Sequence, residues 1–154
     1  MEDPARLPPD TRPRALAGVE LVLGLMQLLR EASGLEHDSI MIRCALNAAA
    51  MRPLLFDPAV PEDARDLAVP PNEARGSISR FALSEVTGLP RETVRRKINR
   101  MIEQRLFEEE GHGWIQHARR PAAPRWHSIA DQGFLAVQRY DRKLRRLGCE
   151  GIGD

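Results

Sequence analysis

The sequence predicts a mainly α-helical protein with one small β-hairpin. Apolar residues recur at helical spacing through most of the 154 residues, and glycine or proline marks the ends of these segments. One run of extended-type residues folds back at the Gly-His-Gly sequence of residues 111–113. At this length, one main hydrophobic core is the simplest expectation.

The N-terminal part is expected to be an arm followed by helices. Residues 1–14 are rich in proline and charge and lack a signal-peptide core, so we expect a flexible arm. Residues 15–29 are apolar almost all round, yet too short to span a bilayer comfortably. A helix that ends at Gly34 and a second helix that ends before Pro53 follow from the pattern. Residues 15–52 would then form a helical segment that contributes to dimerisation.

Two further segments lie before and after the central stretch of residues 77–120. Residues 53–76 carry many prolines and acids without periodicity and are expected to be a connector, with a short helical turn around residues 62–67.

Residues 127–148 predict an amphipathic C-terminal helix, with Ser128 as its N-cap and Gly148 at its end. This helix could pack on its own domain or pair with another subunit. The number of large apolar side chains in this helix and in residues 15–29 favours pairing, and we therefore expect a homodimer.

The central stretch predicts two helices joined by a glycine turn. The first is short, with Ser77 or Ser79 as its N-cap and Gly88 just past its end. The second covers residues 90–104 and has Pro90 in its first turn. A turn of this kind between two helices is typical of the helix-turn-helix motif.

The second helix of this pair has two different faces at about 100° per residue. Its apolar residues share one side, which is expected to be buried: Val94, Ile98, Met101 and Ile102. Its polar residues share the other side: Arg91, Glu92, Arg96, Asn99 and Arg100. Arginine can bind guanine through two hydrogen bonds, and glutamate can accept one from cytosine. An ordinary solvated helix has the same pattern, but the position between a turn and a hairpin favours recognition.

The hairpin follows this helix directly. Leu106 and Phe107 begin an extended run, residues 111–113 form the turn, and residues 114–116 return. A hairpin at this place is a wing. Its glutamates, residues 108–110, should repel DNA. Among the basic residues that follow, Arg119, Arg120 and Arg125 either contact the DNA backbone or neutralise the nearby acids.

Residues 77–116 resemble the winged helix-turn-helix DNA-binding domain of the cyclic-AMP receptor and fumarate-nitrate regulator family. The Arg-Glu-Thr-Val-Arg sequence at residues 91–95 carries the resemblance. It implies a winged domain over residues 77–120, with guanine contacts from two arginines, a cytosine contact from a glutamate and a phosphate contact from a threonine: Arg91, Arg96, Glu92 and Thr93. The further DNA contacts expected are Arg95, Asn99, Arg100, Arg119 and Arg120.

The chain also differs from that family. Residues 15–51 predict helix where the family has a β-rich cyclic-nucleotide domain, so neither cyclic AMP nor an iron–sulfur cluster is implied. Pro90 stands where a small hydroxyl residue is common, and Arg95 stands where glycine is frequent. The family's target sequence therefore does not transfer to this chain.

Composition narrows the function. The 23 basic and 22 acidic residues nearly cancel, so any affinity for nucleic acid or a membrane has to be local. The two cysteines and four histidines form no metal-ligand or catalytic pattern, and a reducing cytoplasm fits the cysteine usage. We expect no enzyme activity, metal or cofactor. The leading hypothesis is a dimeric, sequence-specific transcription regulator that binds double-stranded DNA with residues 90–104 in the major groove. The alternative is a winged module for protein contact, and the sequence specifies no small-molecule effector.

Overall fold

A computed structural model describes residues 7–67, 69–111, 113–118 and 125–149, and shows a mainly helical protein with a small antiparallel sheet. The α-helices of the described residues are α1 (Thr11–Ser33), α2 (His37–Phe56), α3 (Arg80–Thr87), α4 (Arg91–Glu103) and α5 (Arg125–Arg146). Two short 3-10 helices cover Glu62–Asp66 and Asn72–Ala74. The strands are β1 (Ile78–Ser79), β2 (Phe107–Glu110) and β3 (Trp114–His117), in the order β1-β3-β2. The hairpin of β2 and β3 agrees with the sequence prediction, and β1 adds a third strand to it.

The chain divides into two compact units. The first contains Met1–Gly34 and Pro124–Asp154, in which α1 packs against α5. The second is Leu35–Ala123, with α2, α3, α4 and the sheet. The helical segment expected over residues 15–52 is therefore divided, because the chain turns at Gly34 in the left-handed region and α2 belongs to the second unit.

The larger of two hydrophobic clusters in the described residues of the second unit joins its helices to its sheet. Its buried members come from α2, α3, α4, β2 and β3: Ile42, Leu46, Leu83, Val94, Ile98, Met101, Phe107 and Ile115. The buried side expected for α4 is confirmed, with Ile102 half-buried against the same cluster. Burying a side chain of this size stabilises the fold by roughly 1.5–3 kcal/mol, so three such residues on α4 fix which face it turns outward.

Local signals set the turn before α4. Ser79 is the N-cap of α3, and its Oγ accepts a hydrogen bond from the Ala82 N–H at 3.1 Å. Gly88 ends α3 with a φ of 69°, a conformation that glycine adopts without steric cost. Pro90 then occupies the N-cap position of α4, one residue outside the helix in which it was expected.

The other end of α4 closes with a left-handed residue that is not glycine. Arg105 has a φ of 55°, and its N–H donates to the Ile102 carbonyl at 2.8 Å. The Leu106 N–H donates to the Met101 carbonyl at 2.9 Å. This is the Schellman pattern, which satisfies the last helical carbonyls and directs the chain into β2.

Prolines are placed differently from the expectation. The first helix begins at Thr11, inside the expected arm, because Pro13 falls in its first turn, where a missing N–H costs nothing. The second helix continues through Pro53 to Phe56 instead of stopping before the proline. Pro53 lies in the last turn, so only one helical hydrogen bond is lost there.

The ends of α5 were expected at Ser128 and Gly148. The helix begins earlier, at Arg125, so Ser128 is not its N-cap; the Ser128 Oγ instead accepts a hydrogen bond from Gln132 Nε2 at 3.0 Å. Gly148 does end it, with a φ of 73°. The Cys149 N–H donates to the Leu144 carbonyl at 3.0 Å, as in a Schellman cap.

One helix of the described residues, α2, is long and apolar enough to cross a membrane by length and composition. This is weak evidence, because core helices of soluble proteins meet the same criterion. In α2, Ile40, Ile42 and Leu46 are buried within the chain itself.

Candidate nucleic-acid interface

The outward face of α4 carries most of the polar residues singled out in the sequence. Five of them are exposed: Arg91, Glu92, Arg95, Arg96 and Arg100. Thr93 and Asn99 are half-buried at the edges of this face. The structure therefore brings seven of the nine expected contact residues onto one helix. Arg119 and Arg120, expected to contact backbone phosphates, lie outside the described residues.

Glu92 and Arg95 form an ion pair one turn apart on α4. The Arg95 Nε donates to Glu92 Oε2 at 2.9 Å, and Arg95 Nη2 donates to Oε1 at 2.6 Å. The hydrogen bonds from Arg95 lower the pKa of Glu92, and the same bonds raise the pKa of Arg95. Both groups are exposed, so the pair contributes little to stability. The pair can open at low cost, and each Glu92 oxygen also keeps a lone pair that can accept a further hydrogen bond, such as one from a cytosine.

Arg91 is held at the start of α4 by an aromatic contact. Its guanidinium carbon lies 4.6 Å from the centre of the Phe81 ring of α3. Stacking of this kind orients an arginine without neutralising it. Arg91 is therefore positioned at the glycine turn, at the end of α4 where the helix dipole attracts anions such as phosphate.

Among the described residues, Arg96 and Arg100 have only longer-range electrostatic contacts, Arg96 with Glu92 and Arg100 with Glu36. Both are exposed on α4, four residues apart, and neither forms a hydrogen bond or ion pair through its side chain with the described residues. Like charges at this spacing repel each other slightly in a helix. Their guanidinium groups are free to bind an external acceptor.

A second network joins α3, α4 and β2 through Arg80. Its Nη1 donates to Glu109 Oε1 at 2.7 Å, and its Nη2 donates to Glu109 Oε2 at 2.9 Å and to Asn99 Oδ1 at 3.0 Å. The hydrogen bond from Arg80 lowers the pKa of Glu109. Asn99 is thus committed to holding Arg80, so it is less available to a base than the sequence suggested.

The acidic run on β2 is partly compensated. Besides Glu109, which binds Arg80, Glu108 Oε1 lies 3.7 Å from the Nη2 of Arg75, whose side chain is only 7% exposed. The repulsion expected between these glutamates and DNA is therefore reduced at two of the three positions.

The sequence analysis did not predict the ion pairs of Arg75 and Arg80 with the hairpin, because each arginine lies about thirty residues before its glutamate partner. A signal for Arg80 was present. A cation in the first turn of a helix opposes the helix dipole and suggests an acidic partner elsewhere.

Lys97 is a buried cation on the inner side of α4. Its side chain is 9% exposed, and its Nζ pairs with Glu36, the N-cap residue of α2, and lies 3.7 Å from Asp38 Oδ2. The hydrogen bond from Lys97 lowers the pKa of Glu36. This contact ties α4 to the start of α2, where the helix dipole also favours carboxylates. The periodicity of α4 alone did not reveal it.

Among the described residues, no group of three or more histidine, cysteine or acidic side chains is close enough to hold a metal ion. Cys44 is exposed, Cys149 is buried, and neither forms a disulfide.

Searches against protein-family models, curated proteins and solved structures found no significant match to the chain.

Proposed function

We propose that this protein is a sequence-specific DNA-binding transcription regulator with a winged helix-turn-helix fold. In this proposal α3 and α4 are the two helices of the motif, β2 and β3 are the wing, and α4 enters the major groove. The observation that carries it is the pair Arg96 and Arg100, which are exposed and form no hydrogen bond or ion pair with the described residues, on a helix whose opposite face buries Val94, Ile98 and Met101. Arginine on such a helix can bind guanine through two hydrogen bonds.

The order of elements supports the same proposal. A strand, a short helix, a left-handed glycine turn, a longer helix and a hairpin follow each other without insertion. The ion pairs of Arg75 and Arg80 reduce the negative charge of the hairpin. They let the proposed wing approach a phosphate backbone with less repulsion than its sequence suggests.

We also infer that the protein acts as a homodimer through α1 and α5. Of the described side chains in this unit, only Ala17 and Cys149 are buried, so the two helices have almost no core of their own. Large apolar residues are instead exposed on both: Leu16, Val19, Val22, Leu23, Phe134, Leu135, Val137 and Leu147. Each is roughly half exposed, so together they offer on the order of 700 Å² per protomer, close to the ~800 Å² that a stable interface buries on each side. A second copy presents the same surface and is the simplest partner to cover it.

One observation favours a different function. On α3, Phe81 is 54% exposed and Val86 is 66% exposed. Exposed apolar residues of this size are more typical of a protein-contact surface than of a DNA-facing helix. The alternative is therefore a winged module that binds another protein.

A competition binding assay separates the two functions. Labelled duplex carrying a preferred site is challenged with unlabelled random duplex at one fixed salt concentration, because the electrostatic term depends on salt. Arg96→Ala should weaken binding to the preferred site by roughly 5- to 150-fold, which corresponds to about 1–3 kcal/mol, and leave binding to random duplex almost unchanged. Arg52→Ala, an exposed arginine on α2, is the matched control and should change neither. A wild-type protein that binds no duplex would contradict the proposal and favour the protein-contact module.

A further inference from the structure

A row of basic side chains lies along the C-terminal half of α5. Arg139, Arg142, Lys143 and Arg146 line an open groove of about 310 Å³. They are three or four residues apart, so they share one face of the helix. With a rise of about 1.5 Å per residue, the row is roughly 10 Å long.

Most of this charge is not compensated. Lys143 pairs with Glu20 of α1, but Arg139, Arg142 and Arg146 have no acidic partner among the described residues. The neighbouring Arg145 differs, because it pairs with Asp141 at 3.0 Å. Cations near a helix C-terminus are favoured by the dipole, but that effect is confined to the last turn. Arg139 lies about two turns before the end of α5, so the dipole does not account for the whole row.

We propose that this groove binds the phosphate backbone of duplex DNA, in addition to the base contacts of α4. The inference rests on the proposed DNA-binding function and adds to it a second, sequence-independent contact surface. Successive phosphates of one strand lie farther apart in space than their rise of about 3.4 Å along the helix axis, because the strand also winds around that axis, so a row of roughly 10 Å can meet about two of them. Guanidinium groups bind phosphate oxygens in a forked geometry, and three of the four groups are arginines. A chain with a net charge of +1 needs a local surface of this kind.

A membrane surface fits the groove less well than DNA. A basic helix that lies on a membrane carries its apolar residues along the same length as its charges. In α5 the exposed large apolar residues, Phe134, Leu135 and Val137, come before the basic row; none is exposed between Arg139 and Arg146, and Leu147, 43% exposed, lies just past the end of the helix. The surface of this stretch is charged, as expected for contact with a polyanion in water.

The test compares two triple variants of the full-length protein that lose the same charge. The groove variant is Arg139→Gln/Arg142→Gln/Arg146→Gln. The control variant is Arg30→Gln/Arg52→Gln/Arg145→Gln, which removes three exposed arginines outside the groove. Binding to a long random-sequence duplex is measured over a series of salt concentrations. Circular dichroism establishes that each variant keeps the helix content of the wild type. If the triple variant loses helix content, the binding test is repeated with single substitutions at Arg142 and Arg146.

The groove variant should bind random duplex at least tenfold more weakly at low salt. Its plot of log affinity against log salt should be shallower than that of the wild type by roughly 2 per protomer, since each of two lost phosphate contacts removes about 0.9. A single substitution should remove about 0.9. Its ratio of preferred to random binding should be unchanged, because phosphates carry no sequence information. The control variant should keep nearly the wild-type slope.

Equal slopes for the groove and control variants would overturn the inference. So would groove-dependent binding to vesicles of phosphatidylglycerol in a protein that does not bind duplex DNA. The two proposals fail in different ways: loss of site preference in Arg96→Ala with no effect of the groove variant refutes only the groove. A normal groove effect with no site preference at all refutes the sequence-specific function and leaves the groove standing.

Discussion

Gly76 occupies a position that should not tolerate a side chain. A Cβ atom there would lie 2.0 Å from the Ala49 carbonyl oxygen and 3.0 Å from the Pro53 Cδ, which is closer than real Cβ contacts allow. Pro53 has no N–H, so the Ala49 carbonyl of α2 has no helical donor at that position. The Gly76 N–H in turn donates to the Ala50 carbonyl at 3.3 Å.

Gly76→Ala should therefore destabilise the second unit by about 2–4 kcal/mol. The obstructing atom is backbone, so one of the two segments must move, which costs roughly 1–3 kcal/mol as overpacking. The hydrogen bond to Ala50 would be strained or broken, at a further cost of about 1 kcal/mol. This is a large share of the ~5–15 kcal/mol that stabilises a typical domain. Strand β1 begins two residues later, so the proposed wing should loosen with it.

The measurement is urea unfolding followed by tryptophan fluorescence. A Trp126→Phe background leaves Trp114 of β3 as the reporter for the second unit. Gly111→Ala is the control, since a Cβ there meets open space. Unfolding free energies for Gly76→Ala within about 0.5 kcal/mol of the control would refute the reasoning.

Three other outcomes are expected. The ion pair with Arg80 keeps the pKa of Glu109 below its ordinary 4.5, so this carboxylate stabilises the fold above that pH and the contribution is lost as the pH falls through the lowered pKa. Glu109→Gln should lose less stability than wild type on acidification below about pH 4.5 in urea titrations, and identical pH profiles would count against the pair. Arg105→Gly should raise the unfolding free energy by roughly 0.5–1 kcal/mol, because glycine adopts the left-handed conformation without strain; an unchanged or lower value would contradict this. Light scattering should show a dimer for the wild type and for Leu55→Asp, and a monomer for Leu23→Asp of α1, although both leucines are similarly exposed; a wild-type monomer would refute the proposed interface.

Local sequence signals predicted the parts of the fold that depend on neighbouring residues. The 3.6-residue period placed Val94, Ile98 and Met101 on the buried side of α4, and all three are buried there. The glycines at positions 88 and 148 marked helix ends, because few other residues adopt a positive φ easily.

Features that depend on distant residues could not be read in this way. Lys97 is buried by α2, sixty-one residues earlier, and no period within α4 shows that contact. The partners of Arg80 on β2 and α4 are 29 and 19 residues away. Strand β1 has only two residues, and it exists because Ile78 and Ser79 pair with Ile115 and Trp114 of β3. Its propensity alone is too weak a signal.

In the candidate site, too, the face on which a residue lies could be predicted from the sequence, whereas its side-chain partners could not. Helical spacing was enough to place Arg96 and Arg100 on the outward face. Spacing did not reveal that Glu92 is paired with Arg95, or that Asn99 is held by Arg80. These pairings rank the expected contacts: Arg96 and Arg100, whose side chains form no hydrogen bond or ion pair with the described residues, are the first candidates for reading bases.

Selection of preferred sites from a random pool of duplexes, carried out with the wild type and with Arg96→Ala, tests the proposed function most directly. The wild type should enrich a site with two related half-sites, since a dimer places one α4 in each. Arg96→Ala should enrich the same site with the preference for guanine lost at one position in each half. A wild-type pool without any enriched sequence would contradict sequence-specific binding, and an unchanged site for Arg96→Ala would remove this arginine from base recognition.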